Sequence, residues 1–184
     1  MNTIHTVMHI KRIDEISESL EPVNGHKVFD LFNDPETSGY FKAGMSYDKK
    51  RVDAFNRWLK AHKNDYVRLY HGTGARHDIL GKGILRTTLK RRNSYQSASG
   101  YVYLSVYPDH ARMFGEMGNP YDKAKVYAVD VPIGDLRADA DQLKNKRMWD
   151  SDLSDVGDTL ADSLMYGSGA RVRRDIKPYE ITLL

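Results

Sequence analysis

The chain has 184 residues, of which 40% are hydrophobic and 29% charged, with a formal net charge of +3 and no cysteine. That balance suits one soluble globular domain and excludes a disordered tail, while the missing thiols exclude disulfides, thiolate zinc sites and cysteine nucleophiles together. The positive charge is too slight to indicate nucleic acid by itself, and no apolar run approaches the roughly 18 residues of a membrane span.

Met1 to Lys11 holds no continuous apolar core, so no secretory signal is expected, and the expected location is the cytoplasm of the producing or host cell. Up to Asn64 the chain reads as helical. An apolar cluster at Val28-Phe29-Asp30-Leu31-Phe32 precedes a turn at Asn33-Asp34-Pro35. Asp48 is placed to cap a helix carrying Val52, Phe55, Trp58 and Leu59 on one face, broken by Asn64-Asp65.

From Asp65 onward the character changes. Tyr66 to His71 is rich in β-formers and runs into Gly72-Thr73-Gly74, a strand followed by a turn. Asp78-Ile79-Leu80 predicts a short helical turn ended by Gly81 and Gly83. A polar loop follows from Arg86 to Gly100, then a strand from Tyr101 to Val106. Pro108 starts a helix carrying Ala111 and Phe114, since a first-turn residue needs no N–H. Lys125 to Val131 alternates as a strand, Asp155 to Tyr166 predicts a helix, and two last strands are expected at Arg171 to Ile176 and Tyr179 to Leu184. The pattern gives an α+β fold, with residues 1–64 as a helical accessory region packed on the domain of residues 65–184.

Three segments carry chemistry: Tyr70-His71-Gly72-Thr73 at a strand end, Gly100 to Ser105 followed by the Pro108 helix, and Pro178-Tyr179-Glu180-Ile181. Singly, a strand-end histidine, a strand tyrosine and a late glutamate are ordinary structural residues. In this order, with Phe114 eleven residues after Tyr103, the chain resembles the ADP-ribosyltransferase superfamily, in its His-Tyr-Glu branch of diphtheria-toxin-like and poly(ADP-ribose) polymerase-like enzymes. The resemblance runs from Val67 to Leu184. It departs from the polymerases in having Ala111 where they carry a nicotinamide-binding serine, and Phe114 in place of a second tyrosine.

The resemblance implies two packed, mainly antiparallel sheets with flanking helices, NAD+ as co-substrate, and transfer of ADP-ribose to a macromolecule. The implied catalytic residues are His71, Tyr103 and Glu180. NAD+ is expected to meet His71, Gly72, Thr73, Tyr103 and Phe114. Tyr103 and Phe114 would sandwich nicotinamide, Gly72 would offer backbone to its carboxamide, and Glu180 would steady the cationic ribose formed as nicotinamide leaves. No metal is expected, since His71 and His77 lack the i, i+4 spacing of a zinc helix. Pro178 stands where arginine-specific members carry a Glu or Gln two before the glutamate, which argues against that subclass.

Single transfer to a protein is the favoured outcome, with a toxin or phage effector as a setting and nucleic acid as the other acceptor. Arg171, Arg173 and Arg174 border the expected acceptor side and suit an acidic surface or a phosphate. Three other readings share the fold: an RNA 2'-phosphotransferase-like enzyme, for which Arg68 and Arg86 are candidate pocket arginines, an NAD+ glycohydrolase, and a catalytically dead binding module.

Overall fold

A computed structural model describes residues 20–41, 46–86, 98–118 and 123–184. The basic run Lys90 to Arg92 lies outside the described residues, as does the stretch from Met1 to Lys11.

The described elements begin with strand β1 (Val28–Phe29) and helices α1 (Ser38–Phe41) and α2 (Lys49–Ala61), followed by β2 (Tyr66–Gly74) and the short α3 (Ile79–Lys82). Next come β3 (Val102–Ser105), α4 (Pro108–Gly118), β4 (Ala124–Pro132), β5 (Leu136–Ala138) and α5 (Ala140–Trp149). The chain closes with α6 (Leu160–Met165), β6 (Gly169–Val172) and β7 (Ile181–Leu183). Single 3-10 turns stand at Ile133–Asp135, Ser151–Leu153 and Pro178–Glu180.

The strands form one seven-stranded sheet in the order β5-β6-β3-β2-β4-β7, with β1 added to β2. Every pairing is antiparallel except β1 with β2. This corrects the expectation of two sheets: β2 pairs both β3 and β4, so the halves are continuous. The joint is slender, because β2 and β3 share one register pair, Tyr70↔Ser105. On its other edge β2 pairs β4 over all nine residues, from Tyr66↔Pro132 to Gly74↔Ala124.

Local chemistry explains most elements. The Asp48 side chain accepts from Arg51 N–H and caps α2, whose Val52, Phe55 and Leu59 are buried. Burial of each such side chain is worth about 1.5–3 kcal/mol. Asp78 caps α3, which ends at Gly83 with φ 79°, a conformation glycine adopts without penalty. Pro108 opens α4 as expected. The predicted helix from Asp155 shortens to α6, because Thr159 and Asp162 form a capping box that starts it at Leu160. The two final strands shorten likewise, to Gly169–Val172 and Ile181–Leu183.

Residues before Asn64 are not all helical, since β1 joins the sheet through Val28↔Tyr66 and Phe29↔Val67. They also share the core: Phe29, Leu31, Val52, Phe55 and Leu59 belong to the same buried cluster as Val67, Leu69, Val129 and Val131. Asn56 bonds Thr159 at 2.9 Å, and Asp48 N–H donates to the Tyr166 hydroxyl at 2.9 Å, fastening α2 to α6.

Candidate active site

The sheet opens where β2 and β3 part. Beyond Tyr70 no described strand pairs the β3-facing edge of β2, while β3 continues alongside β6. His71 spans this fork: its Nδ1 lies 3.0 Å from the Tyr103 carbonyl oxygen. A carbonyl only accepts, so Nδ1 carries the hydrogen and donates. The imidazole therefore ties the two strands together at the point where their ladder stops.

Gly72 comes next and has a structural duty. A Cβ there would stand 1.8 Å from the Ala111 carbonyl oxygen, so the missing side chain lets α4 settle on β2. Gly115, one turn on, would meet Gly72 and Thr73 backbone at 2.8 Å. The room at Gly72 that the sequence reading reserved for nicotinamide is thus filled by α4 on that side. Ala111 is buried beneath the helix, whereas Phe114 stands 40% exposed on it.

The Tyr103 phenol donates to Asp141 Oδ2 at 3.0 Å and lies 3.3 Å from the Ala98 carbonyl. Burial pushes it up to about 12, with the Asp141 carboxylate adding to the rise and Arg171 opposing it. Tyr103 pairs directly with Arg171, and Arg171 with Arg137, so these three side chains share one face of the sheet. Arg171 stacks over the Tyr101 ring at 4.3 Å, and its Nη1 reaches Asp141 at 3.9 Å. Its Nε is buried with no hydrogen-bond partner.

Asp141 sits in the first turn of α5, where the helix terminus favours a negative charge. Asp139 caps that helix by accepting from the Asp141 and Gln142 N–H groups. Burial holds the Asp139 carboxyl above its usual range, against those hydrogen bonds and Arg171.

Glu180 lies elsewhere. It closes the 3-10 turn before β7 rather than standing in the strand, and β7 pairs β4 on the side away from β3. Ile181 pairs Val129, which pairs Leu69, so Glu180 stands level with Arg68, toward the start of β2 and away from His71. Its oxygens take Arg174 Nη1 at 2.8 Å, Arg174 Nη2 at 2.6 Å and the Lys177 N–H at 2.8 Å. It lines a groove of about 840 Å³ with Tyr66, Asp130, Arg174 and Thr182, to which neither His71 nor Tyr103 contributes. A second groove of about 890 Å³, between α2 and the start of α6, also excludes them. The structure thus brings His71 and Tyr103 together and adds Asp141 and Arg171, but leaves Glu180 paired with Arg174 away from them.

The other predicted arginines are committed too. Arg68 makes a bidentate pair with Asp130, both bonds at 2.8 Å, and Arg86 bonds Asp175. Sequence reasoning missed Asp141. Its signal was the Asp139-Ala140-Asp141 start of a helix, a cap followed by a first-turn acid. Among the described residues no group of three or more His, Asp or Glu could hold a metal ion. No helix among them is long and apolar enough to cross a membrane. Comparison of the chain with protein-family models, with curated proteins and with solved structures returned no match.

Proposed function

We propose that this chain binds NAD+ at the fork between β2 and β3 and transfers its ADP-ribose to a macromolecular acceptor, with protein as the favoured class. The observation that carries the reading is the His71–Tyr103 junction at the end of the β2–β3 ladder. It joins two of the three motif residues at the place where the β2–β3 ladder ends. Tyr103, with its hydroxyl anchored, presents a fixed ring for stacking, and Phe114 is accessible on the helix packed against β2. Each aromatic face is worth about 1–3 kcal/mol to a stacked base. The test is incubation with labelled NAD+ and a cell lysate, followed by a search for label on protein, on nucleic acid or as free ADP-ribose. Label in none of these pools overturns the reading and leaves a binding module.

A second reading gains from a specific observation. An RNA 2'-phosphotransferase-like enzyme draws on pocket arginines, and Arg171 stands directly opposite Tyr103 with Arg137 beyond it. Like charges in direct cross-strand positions repel unless an anion intervenes, and the buried Arg171 Nε has an unused donor. Glu180, which that reading does not employ, has a structural explanation in Arg174. An RNA oligonucleotide bearing a 2'-phosphate, offered with NAD+, distinguishes the two: NAD+-dependent loss of the phosphate supports the second reading, and its persistence beside labelled protein the first.

A further inference from the structure

We infer that Asp141 supplies the carboxylate of the fork, the charge that steadies the ribose as nicotinamide departs; this rests on the NAD+ reading above. The chemistry asks for one fixed negative charge. The C1''–N bond of the nicotinamide riboside breaks, and its electron pair leaves with neutral nicotinamide. A lone pair of the acceptor then forms the new bond to C1'', and the acceptor's proton passes to water. Between these events the ribose is cationic, and a preorganised carboxylate lowers that barrier without reorganising.

Asp141 meets the requirement on geometry. Its Oδ2 is held from two directions, by the Tyr103 hydroxyl at 3.0 Å and the Ala98 N–H at 3.2 Å. Those bonds fix the carboxylate without saturating it, because a carboxylate accepts about four hydrogen bonds. The side chain stays 41% exposed, so a ligand in the fork has access to it. Arg171 stands 3.9 Å away, beyond hydrogen-bond reach, and holds the negative charge in place without capping either oxygen. Asp139, the neighbouring acid, is 5% exposed and occupied with capping α5. Glu180 is 9% exposed and fully engaged by Arg174 and Lys177. Of these three acids, Asp141 alone is anchored to Tyr103 and still open to solvent.

The test measures nicotinamide release from NAD+ by the full chain and by Asp141→Asn, Asp141→Glu and Glu180→Gln, with thermal melts and NAD+ affinity recorded beside it. Asp141→Asn is expected to fold, to keep NAD+ affinity within about threefold, and to lose release about a hundredfold. Asp141→Glu keeps the charge and is expected to recover at least a tenth of wild-type turnover. A merely structural Asp141 would show its loss in melting temperature and in KM, not in kcat alone. Should Asp141→Asn release nicotinamide at the wild-type rate while Glu180→Gln loses it, the inference is overturned and the NAD+ reading stands with Glu180 in the role. Equal kcat loss in folded Asp141→Asn and Asp141→Glu also overturns a role for the charge. No release by the wild-type protein overturns the NAD+ reading and this inference with it.

Discussion

Arg171 lies in β6 and Arg174 two residues beyond its end, and the two live in opposite electrostatic circumstances. Arg174 spends its guanidinium on Asp135 at 2.7 Å, on both oxygens of Glu180 and on the Asp175 carbonyl at 3.1 Å. That network raises Arg174 above the usual guanidinium range, the Glu180 hydrogen bonds being the largest cause. Arg171 has one carboxylate at 3.9 Å, a ring beneath it and a buried Nε with no partner. A closed set of partners belongs to architecture, since a ligand has nothing left to bind. An incomplete set, kept beside an anchored tyrosine, is a cost that folding alone does not justify.

The open region borders α4 seated on β2, and the harshest test attacks that seat. Gly72→Val places side-chain atoms where the Ala111 carbonyl oxygen already lies, although valine suits a strand. Loss of at least about 3 kcal/mol, or failure to fold, is expected in urea titration, because the obstacle is backbone. A stable Gly72→Val protein would mean that α4 lifts freely.

Replacing each arginine by methionine sharpens the contrast. Arg174→Met leaves Glu180 and Asp135 without their partner and is expected to cost about 2 kcal/mol, discounted from a fully buried pair because Arg174 is one-third exposed. Arg171→Met is expected to cost less than Arg174→Met, by about 1 kcal/mol, since Arg171 gives up a ring contact and a 3.9 Å approach rather than short ion pairs. Equal costs would erase the distinction between the two sites.

Phe114 belongs to the open region and is expected to act on ligand rather than on fold. Phe114→Ala should change stability by less than about 1 kcal/mol yet weaken NAD+ at least fivefold in calorimetric titration, whereas Phe114→Tyr should be mild. Unchanged affinity in both returns Phe114 to the surface.

The smallest effect is a slope. An unfolded tyrosine ionises near 10, and Tyr103 holds its proton to about 12 in the fold, chiefly through burial. The raised value favours the protonated form. Its contribution to stability is therefore complete below pH 10 and is lost as pH climbs through 12. Thermal melts across that window should fall less steeply for Tyr103→Phe than for wild type. Parallel curves would show that the Tyr103 environment survives ionisation.

Much of the frame was legible where the signal is local. Asp48 as a cap, the short helical turn at Asp78-Ile79-Leu80, Pro108 as a helix start and the β-rich run from Tyr66 all follow from neighbours along the chain. α5 was not, because Leu143 is its one buried side chain and a helix without an apolar stripe leaves no period to read. β1 is two residues long, below what any alternation can mark. At the site, His71 and Tyr103 were readable as motif residues, and their hydrogen bond bears out only their proximity. The partners were not readable: Asp141 lies 38 positions from Tyr103, and only the β3–β6 register sets Arg171 opposite it. Glu180 closes the turn just before the last strand rather than beginning it, and Arg174 six residues upstream decides what its carboxylate does.

The unequal edges of β2 have a mechanical consequence. One edge is sewn to β4 by nine register pairs and backed by α4 through Gly72 and Gly115. The other is joined to β3 by one pair and one imidazole. Removing the imidazole would leave the β2–β3 seam with its single register pair, while the nine pairs to β4 would be untouched. Tyr103, Arg171 and Asp141 belong to the β3 side of that seam, while His71 and Phe114 belong to the β2 side.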